Sequence, residues 1–129
     1  MNNKITVIFF LFIFLLALSL RFAGIRYGLP DLSHPDETRV ILDTLSMGHR
    51  MSLLPERPDY ALLYRYFLLF LFGAYFMIGK ISGIFKGTLD FALSFMINAS
   101  PIYLLARSVS VLFGTAIGGA AYLVGKRIF

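Results

Sequence analysis

The sequence has no cysteine and no tryptophan, and charged residues make up only 15% of its 129 positions. Without cysteine there can be no disulfide scaffold, no thiol chemistry and no Cys-ligated metal. Soluble domains average about 25% charged residues. Here the hydrophobic share is 58% and the mean hydropathy is +0.78. A small domain buries only a modest fraction of its surface, so a soluble fold of this length could not hide that much apolar area. These features exclude a soluble enzyme and a disordered tail, and leave an integral membrane protein or part of one. Acidic residues are also scarce, seven against twelve Lys and Arg, giving a net charge of +5. The basic residues are spread singly beside apolar runs, as headgroup anchors are, and give no reason to expect a nucleic-acid partner.

What the chain has instead is long apolar runs. Ile5 to Leu20 is unbroken and sits between Lys4 and Arg21. Extended to Gly24, it is long enough for a bilayer core, which takes roughly 20 helical residues. A signal peptide is the rival reading, but its apolar region is usually about 7–15 residues and ends at an A-x-A-like site, absent here. The second run is centred on Tyr66–Gly79, with Arg65 and Lys80 as flanking side chains able to snorkel to the interfaces. The expected fold is an all-α membrane protein with three transmembrane helices at about 5–24, 61–85 and 108–125. An amphipathic surface helix is expected in the first loop (25–60). Thr88–Ile97 reads as an interfacial helix, capped by Thr88 and ended by the Asn98–Pro101 turn. In the third span Gly114 and Gly118 form a GxxxG pair, which suits intramolecular packing or a dimer face; packing is the commoner use in multi-span proteins.

Residues 21–59 differ in character. They carry six of the seven carboxylates (Asp31, Asp36, Glu37, Asp43, Glu56, Asp59), both His and four of the five Pro. Ser33 is the expected N-cap of a helix from about His34 to Met47, with Pro35 in its first turn, Val40, Ile41 and Leu45 on its apolar face, and Gly48 as its stop. Asp36 and Glu37 have a plain structural account, since first-turn acids favour the helix dipole by about 0.3–1 kcal/mol. They also have a chemical one: a carboxylate just outside a membrane can accept a proton from an acceptor hydroxyl or hold a metal ion. Consecutive helical residues point about 100° apart, so the two acids would not share one task.

The order of motifs points further. R-x-x-G-x-x-x-G-L-P-x-x-x-H-P-D-E spans Arg21 to Glu37, Arg57-Pro58-Asp59-Tyr60 precedes the second helix, and Tyr103 and Ala106-Arg107 lead into S-x-L-F-G-T and Tyr122-Leu123-Val124-Gly125-Lys126-Arg127. From Ile5 to Phe129 this resembles the N-terminal part of GT-C membrane glycosyltransferases, namely relatives of the family 39 protein mannosyltransferases and the Rgt-type enzymes. The resemblance implies a hexosyltransferase that takes a sugar from a polyprenyl-phosphate carrier and passes it to an extracytoplasmic acceptor. It implies Asp36 as the base and Glu37 as its support, with Asp36 the ligand of any divalent metal. Arg39, Arg50, Arg57 and Arg65 become candidates for the donor phosphate. Two features depart from the family pattern. The strap Glu56–Tyr60 lacks the usual aromatic-Tyr-Pro or Lys-Pro-Pro form, and family members are much longer, with many spans. The resemblance therefore implies an N-terminal segment, inactive alone, in the plasma membrane of a prokaryote.

The resemblance also implies a cytoplasmic N-terminus and an outer first loop. Counting basic residues leans the other way, because that loop holds Arg21, Arg26, Arg39, Arg50 and Arg57. The alternative function is a small non-enzymatic three-span protein, acting as a subunit, scaffold or transporter accessory.

Overall fold

The computed structural model describes residues 3–29, 34–57, 59 and 61–128. Its described residues form five helices and no strand: α1 (Asn3–Ala23), α2 (Pro35–His49), α3 (Leu62–Ile81), α4 (Thr88–Ile97) and α5 (Ser100–Ile128). Three of them, α1, α3 and α5, are long and apolar enough to cross a membrane. The chain divides into two compact units, Met1–Tyr27 with Arg107–Phe129, and Gly28–Ala106.

In the first unit, α1 exposes an almost continuous apolar surface, Ile5, Ile8, Phe9, Phe12 and Leu20 among it. Its contacts with α5 are few and specific: Phe10 stacks on Tyr122 at 4.2 Å between ring centroids. The turn after α1 is closed by Arg107, whose Nη1 donates to the carbonyls of Ile25 (2.8 Å) and Tyr27 (2.6 Å). A donor is well placed there, because these turn carbonyls lie beyond the end of α1 and have no helical partner.

The GxxxG pair divides in the structure. A Cβ on Gly114 would stand 3.3 Å from Arg21 Nε, whereas one on Gly118 would meet nothing within 4 Å. The second glycine that faces α1, after Gly114, is Gly119 and not Gly118: a Cβ there would lie 3.8 Å from Phe14. The expected packing role thus passes from Gly118 to Gly119. Gly119→Leu should lower accumulation in membranes by forcing Phe14 aside, at about 1–3 kcal/mol for overpacking. Gly118→Leu should accumulate normally, and immunoblotting of membrane fractions distinguishes the two.

In the second unit, α2 lies along α3. Its buried face is Val40, Ile41, Thr44 and Met47. Leu45, expected on that face, is only half-buried, and Thr44 takes the position because its hydroxyl donates to the Val40 carbonyl at 2.8 Å and is satisfied locally. The helix starts at Pro35 with His34 as an extended N-cap that makes no side-chain cap bond. Asp36 is therefore the second helical residue. Ser33, the expected cap, lies outside the described residues, as do Asp31, Pro58, Tyr60 and Phe129.

Gly48 is not the stop. It stays helical, where a Cβ would stand 3.3 Å from Leu69 Cδ1. The helix closes three residues later in a Schellman motif: Ser52 N–H donates to the Met47 carbonyl (3.0 Å) and Met51 N–H to that of Gly48 (3.3 Å). Met51 takes the left-handed position, φ +52°. That conformation costs roughly 1–2 kcal/mol for a residue with a Cβ.

The same motif ends α3 four residues before the expected Phe85. Ile84 N–H donates to the Gly79 carbonyl (2.8 Å), Gly83 N–H to that of Lys80 (3.2 Å), and Gly83 supplies φ +78°. Phe85 is thereby folded back onto α3 beside Tyr75, Phe76 and Phe91, with an edge contact to Phe91 at 5.2 Å. A Cβ at Gly79 would overlap the Phe85 ring. Gly79→Ala should therefore destabilise the α3–α4 corner by about 1–3 kcal/mol, read as a lower melting temperature in detergent.

α4 occupies the expected residues, but Gly87 and not Thr88 is its N-cap. No side chain caps the helix; Asp90 in its first turn reaches back so that its Oδ2 accepts from Lys86 N–H at 3.0 Å, just before the helix. α5 begins at Ser100, two turns before the expected residue 108, with Asn98 Oδ1 accepting from Ser100 N–H at 3.0 Å. Pro101 was expected in a turn but fits within the first turn of a helix, where its missing N–H has no partner to lose. The added turns bury Ile102, Tyr103 and Ala106. Tyr103 stacks on Phe95, and Tyr64 Oη donates to the Ala106 carbonyl at 3.1 Å.

Candidate functional site

The acids of the first loop fall into two groups. Asp43, Glu56 and Asp59 are drawn into a network around Arg65, at the head of α3. Arg65 is fully buried, with Asp43 Oδ2 3.0 Å from Nη1 and Asp59 Oδ1 3.0 Å from Nη2. The Arg57 carbonyl also accepts from Arg65 Nη1. Asp43, 9% exposed, turns its other oxygen to Glu56 N–H at 3.1 Å. One guanidinium thus ties together the middle of α2, the returning strap and the first turn of α3. The snorkelling role expected of Arg65 does not hold: its head points inward, because two carboxylates and a carbonyl solvate it there better than a route to the interface would.

Asp36 and Glu37 stand apart, in the first turn of α2. Asp36 is exposed and makes no hydrogen bond or ion pair with any described residue, while Glu37 is half-buried. From Asp43 to Asp36 is seven residues, about 10 Å along the helix. Asp36 is therefore separated along α2 from Asp43, the member of the Arg65 cluster on this helix.

The donor-phosphate candidates separate in the same way. Arg65 is committed inside the fold. Arg39 lies 3.9 Å from Asp59 and Arg50 lies 3.6 Å from Glu56, and all four side chains in these pairs are largely exposed. Such pairs are worth about 0–1 kcal/mol and yield readily to another anion. Arg50 Nε also donates to Ser46 Oγ at 3.2 Å. Arg57 is exposed and its guanidinium has no partner among the described residues. Also among the described residues, no three His, Cys, Asp or Glu side chains gather into a group that could hold a metal ion.

The Asp43–Arg65 pair was not anticipated, yet it left a trace in the sequence. Asp43 lies on the stripe of Val40 and Met47, and a carboxylate on an apolar stripe requires a buried cation. The chain matches no protein-family model, no curated protein and no solved structure.

Proposed function

We propose that this chain is the N-terminal, acceptor-activating segment of a GT-C-type glycosyltransferase that uses a polyprenyl-phosphate sugar. The observation that carries this reading is the contrast among the loop acids. Asp43, Glu56 and Asp59 are engaged in the fold, whereas Asp36 is exposed and unpaired among the described residues at the N-terminal end of α2. A carboxylate without a resident partner is available to take a proton from an acceptor hydroxyl. Glu37 supports it from the neighbouring face. Arg57, whose guanidinium is uncommitted, is the first choice for the donor phosphate, with Arg39 and Arg50 as secondary contacts.

The direct test is transfer of radiolabelled sugar from a polyprenyl-phosphate donor by membranes containing the full-length gene product, comparing the native sequence with Asp36→Asn. Equal transfer by the two overturns the catalytic assignment. No transfer by the native protein with any such donor favours the non-enzymatic three-span alternative.

The reading also places α2 on the extracytoplasmic side. Because Asp43 is buried, exposed His34 is the better position for a reporter. A His34→Cys variant should react with a membrane-impermeant maleimide in intact cells, and a Lys86→Cys variant should not. The reverse pattern would mean the opposite orientation.

A further inference from the structure

α2 and α3 run in the same direction, and two contacts fix their register. Asp43 meets Arg65 at 3.0 Å, and farther along both helices Gly48 meets Leu69. α2 thus descends beside α3 toward the interior of the span. Leu69 lies about 10 Å along α3 from Leu62, a third of the way down a helix about 30 Å long. The chain then reverses and climbs back, so that Glu56 reaches Asp43 and the Arg57 carbonyl reaches Arg65. The lowest part of the loop is Met51 to Leu54. Leu53 marks that depth, sharing an open apolar groove of about 530 Å³ with Tyr66, Leu69, Phe70 and Met77 of α3.

Three of the four side chains at this reversal are large, apolar and uncovered: Met51 is 94% exposed, Leu53 66% and Leu54 73%. Met51 also holds the left-handed position that closes α2. A glycine would close the same motif without strain, and Met51 gains no burial within the chain that offsets it. The patch is continuous with the exposed apolar side of α3, Leu63, Tyr66, Phe67 and Phe70, which a span of this length presents to lipid. Arg50 and Arg57 flank the tip, both exposed, as basic anchors flank inserted segments at headgroup level.

We infer that Met51–Leu54 is a membrane-insertion tip: the side chains of Met51, Leu53 and Leu54 enter the acyl-chain boundary of the leaflet in which α3 begins. α2 and its strap then form a re-entrant hairpin, dipped into lipid at its turn and held to α3 by Arg65. The burial depth is that of other interfacial apolar segments, about 5–10 Å. This goes beyond the catalytic proposal and is independent of it, since a non-enzymatic three-span protein would carry the same tip.

The absence of cysteine permits a clean test. Met51→Cys and, separately, Leu54→Cys are labelled with the fluorophore NBD, with His34→Cys as the water-side reference. Each full-length variant is reconstituted into phosphatidylcholine–phosphatidylglycerol vesicles, and circular dichroism checks its helix content. At 51 and 54 the emission should shift to the blue, be quenched by lipids with a nitroxide high on the acyl chain, and resist aqueous iodide. At 34 the pattern should be the opposite. Iodide quenching at 51 and 54 equal to that at 34 overturns the inference. Shielding from both quenchers also overturns it, because a protein surface and not lipid would then cover the tip. Two label positions keep the result decisive if one variant folds poorly.

Discussion

Arg65→Leu should be the most damaging single substitution in the second unit, costing about 3–5 kcal/mol, the range found when one partner of a buried ion pair is removed. The guanidinium is fully buried and neutralises Asp43, itself 9% exposed. Without it, Asp43 retains only the Glu56 N–H as a described partner on its other oxygen, and Asp59 loses its 3.0 Å contact. A loss of this size is a large part of the 5–15 kcal/mol by which whole domains are stable. The expected readouts are a sharply lower melting temperature in detergent and reduced protein per unit of membrane. Asp43→Leu alone should be less harmful, because Asp59 and the Arg57 carbonyl still hold the arginine. The double variant should recover much of the loss, since exchanging a whole buried pair for apolar side chains is often close to neutral. If the single substitutions left melting unchanged, the cluster would not be holding the loop to α3.

On the proposed glycosyltransferase reading, Asp36→Asn should have the largest effect on activity, with little on stability. Asn keeps the volume and loses the charge. The helix start does not rest on this side chain, because His34 is the N-cap and Pro35 sets the first turn. The expected structural cost is the dipole contribution, about 0.3–1 kcal/mol for an exposed first-turn acid. What disappears is the ability to accept a proton, and losing a general base typically slows a reaction about 10²–10⁴-fold. Glu37→Gln should cost less in rate or act on acceptor affinity. Asp43→Asn now carries a different expectation from that of a remote loop acid: lower protein level, with transfer per folded molecule preserved. Sugar transfer normalised to folded protein separates the three. Normal transfer by Asp36→Asn would return Asp36 and Glu37 to the role of a capped helix start.

The apolar runs were legible because each is a continuous local signal: the cores of all three long helices lie where composition puts them. Their ends were not. α3 stops at Ile81 because Gly83 can take φ +78°, a signal carried by one residue inside an otherwise apolar stretch. α5 starts at Ser100 because Asn98 caps it and Pro101 fits its first turn, although the same Asn-Ala-Ser-Pro string also reads as a turn. The Asp36–Glu37 pair was visible as a motif. Its separation from Asp43 depends on Arg65, twenty-two or more residues away from any of those acids in sequence except Glu56 and Asp59. The stripe of Val40 and Met47 marks Asp43 as a carboxylate in need of a partner, but nothing in the periodicity names Arg65 as that partner.

The order of α2, strap and α3 along the chain also bears on how the protein is made. During synthesis α2 is complete while Arg65, Leu68 and Phe72 have yet to leave the ribosome, so its apolar face and Asp43 have no cover. Arg65 in turn is a burden on the entry of α3 into the bilayer: an arginine at the centre of a span opposes insertion by about 2.5–3.5 kcal/mol, and less toward its end. Asp59 can reach Arg65 as soon as the first turn of α3 forms, whereas Asp43 joins it only when α2 docks. The loop is then more than cargo between two spans. It supplies the counter-charge for the arginine at the head of α3, so folding of the loop and seating of that helix are linked.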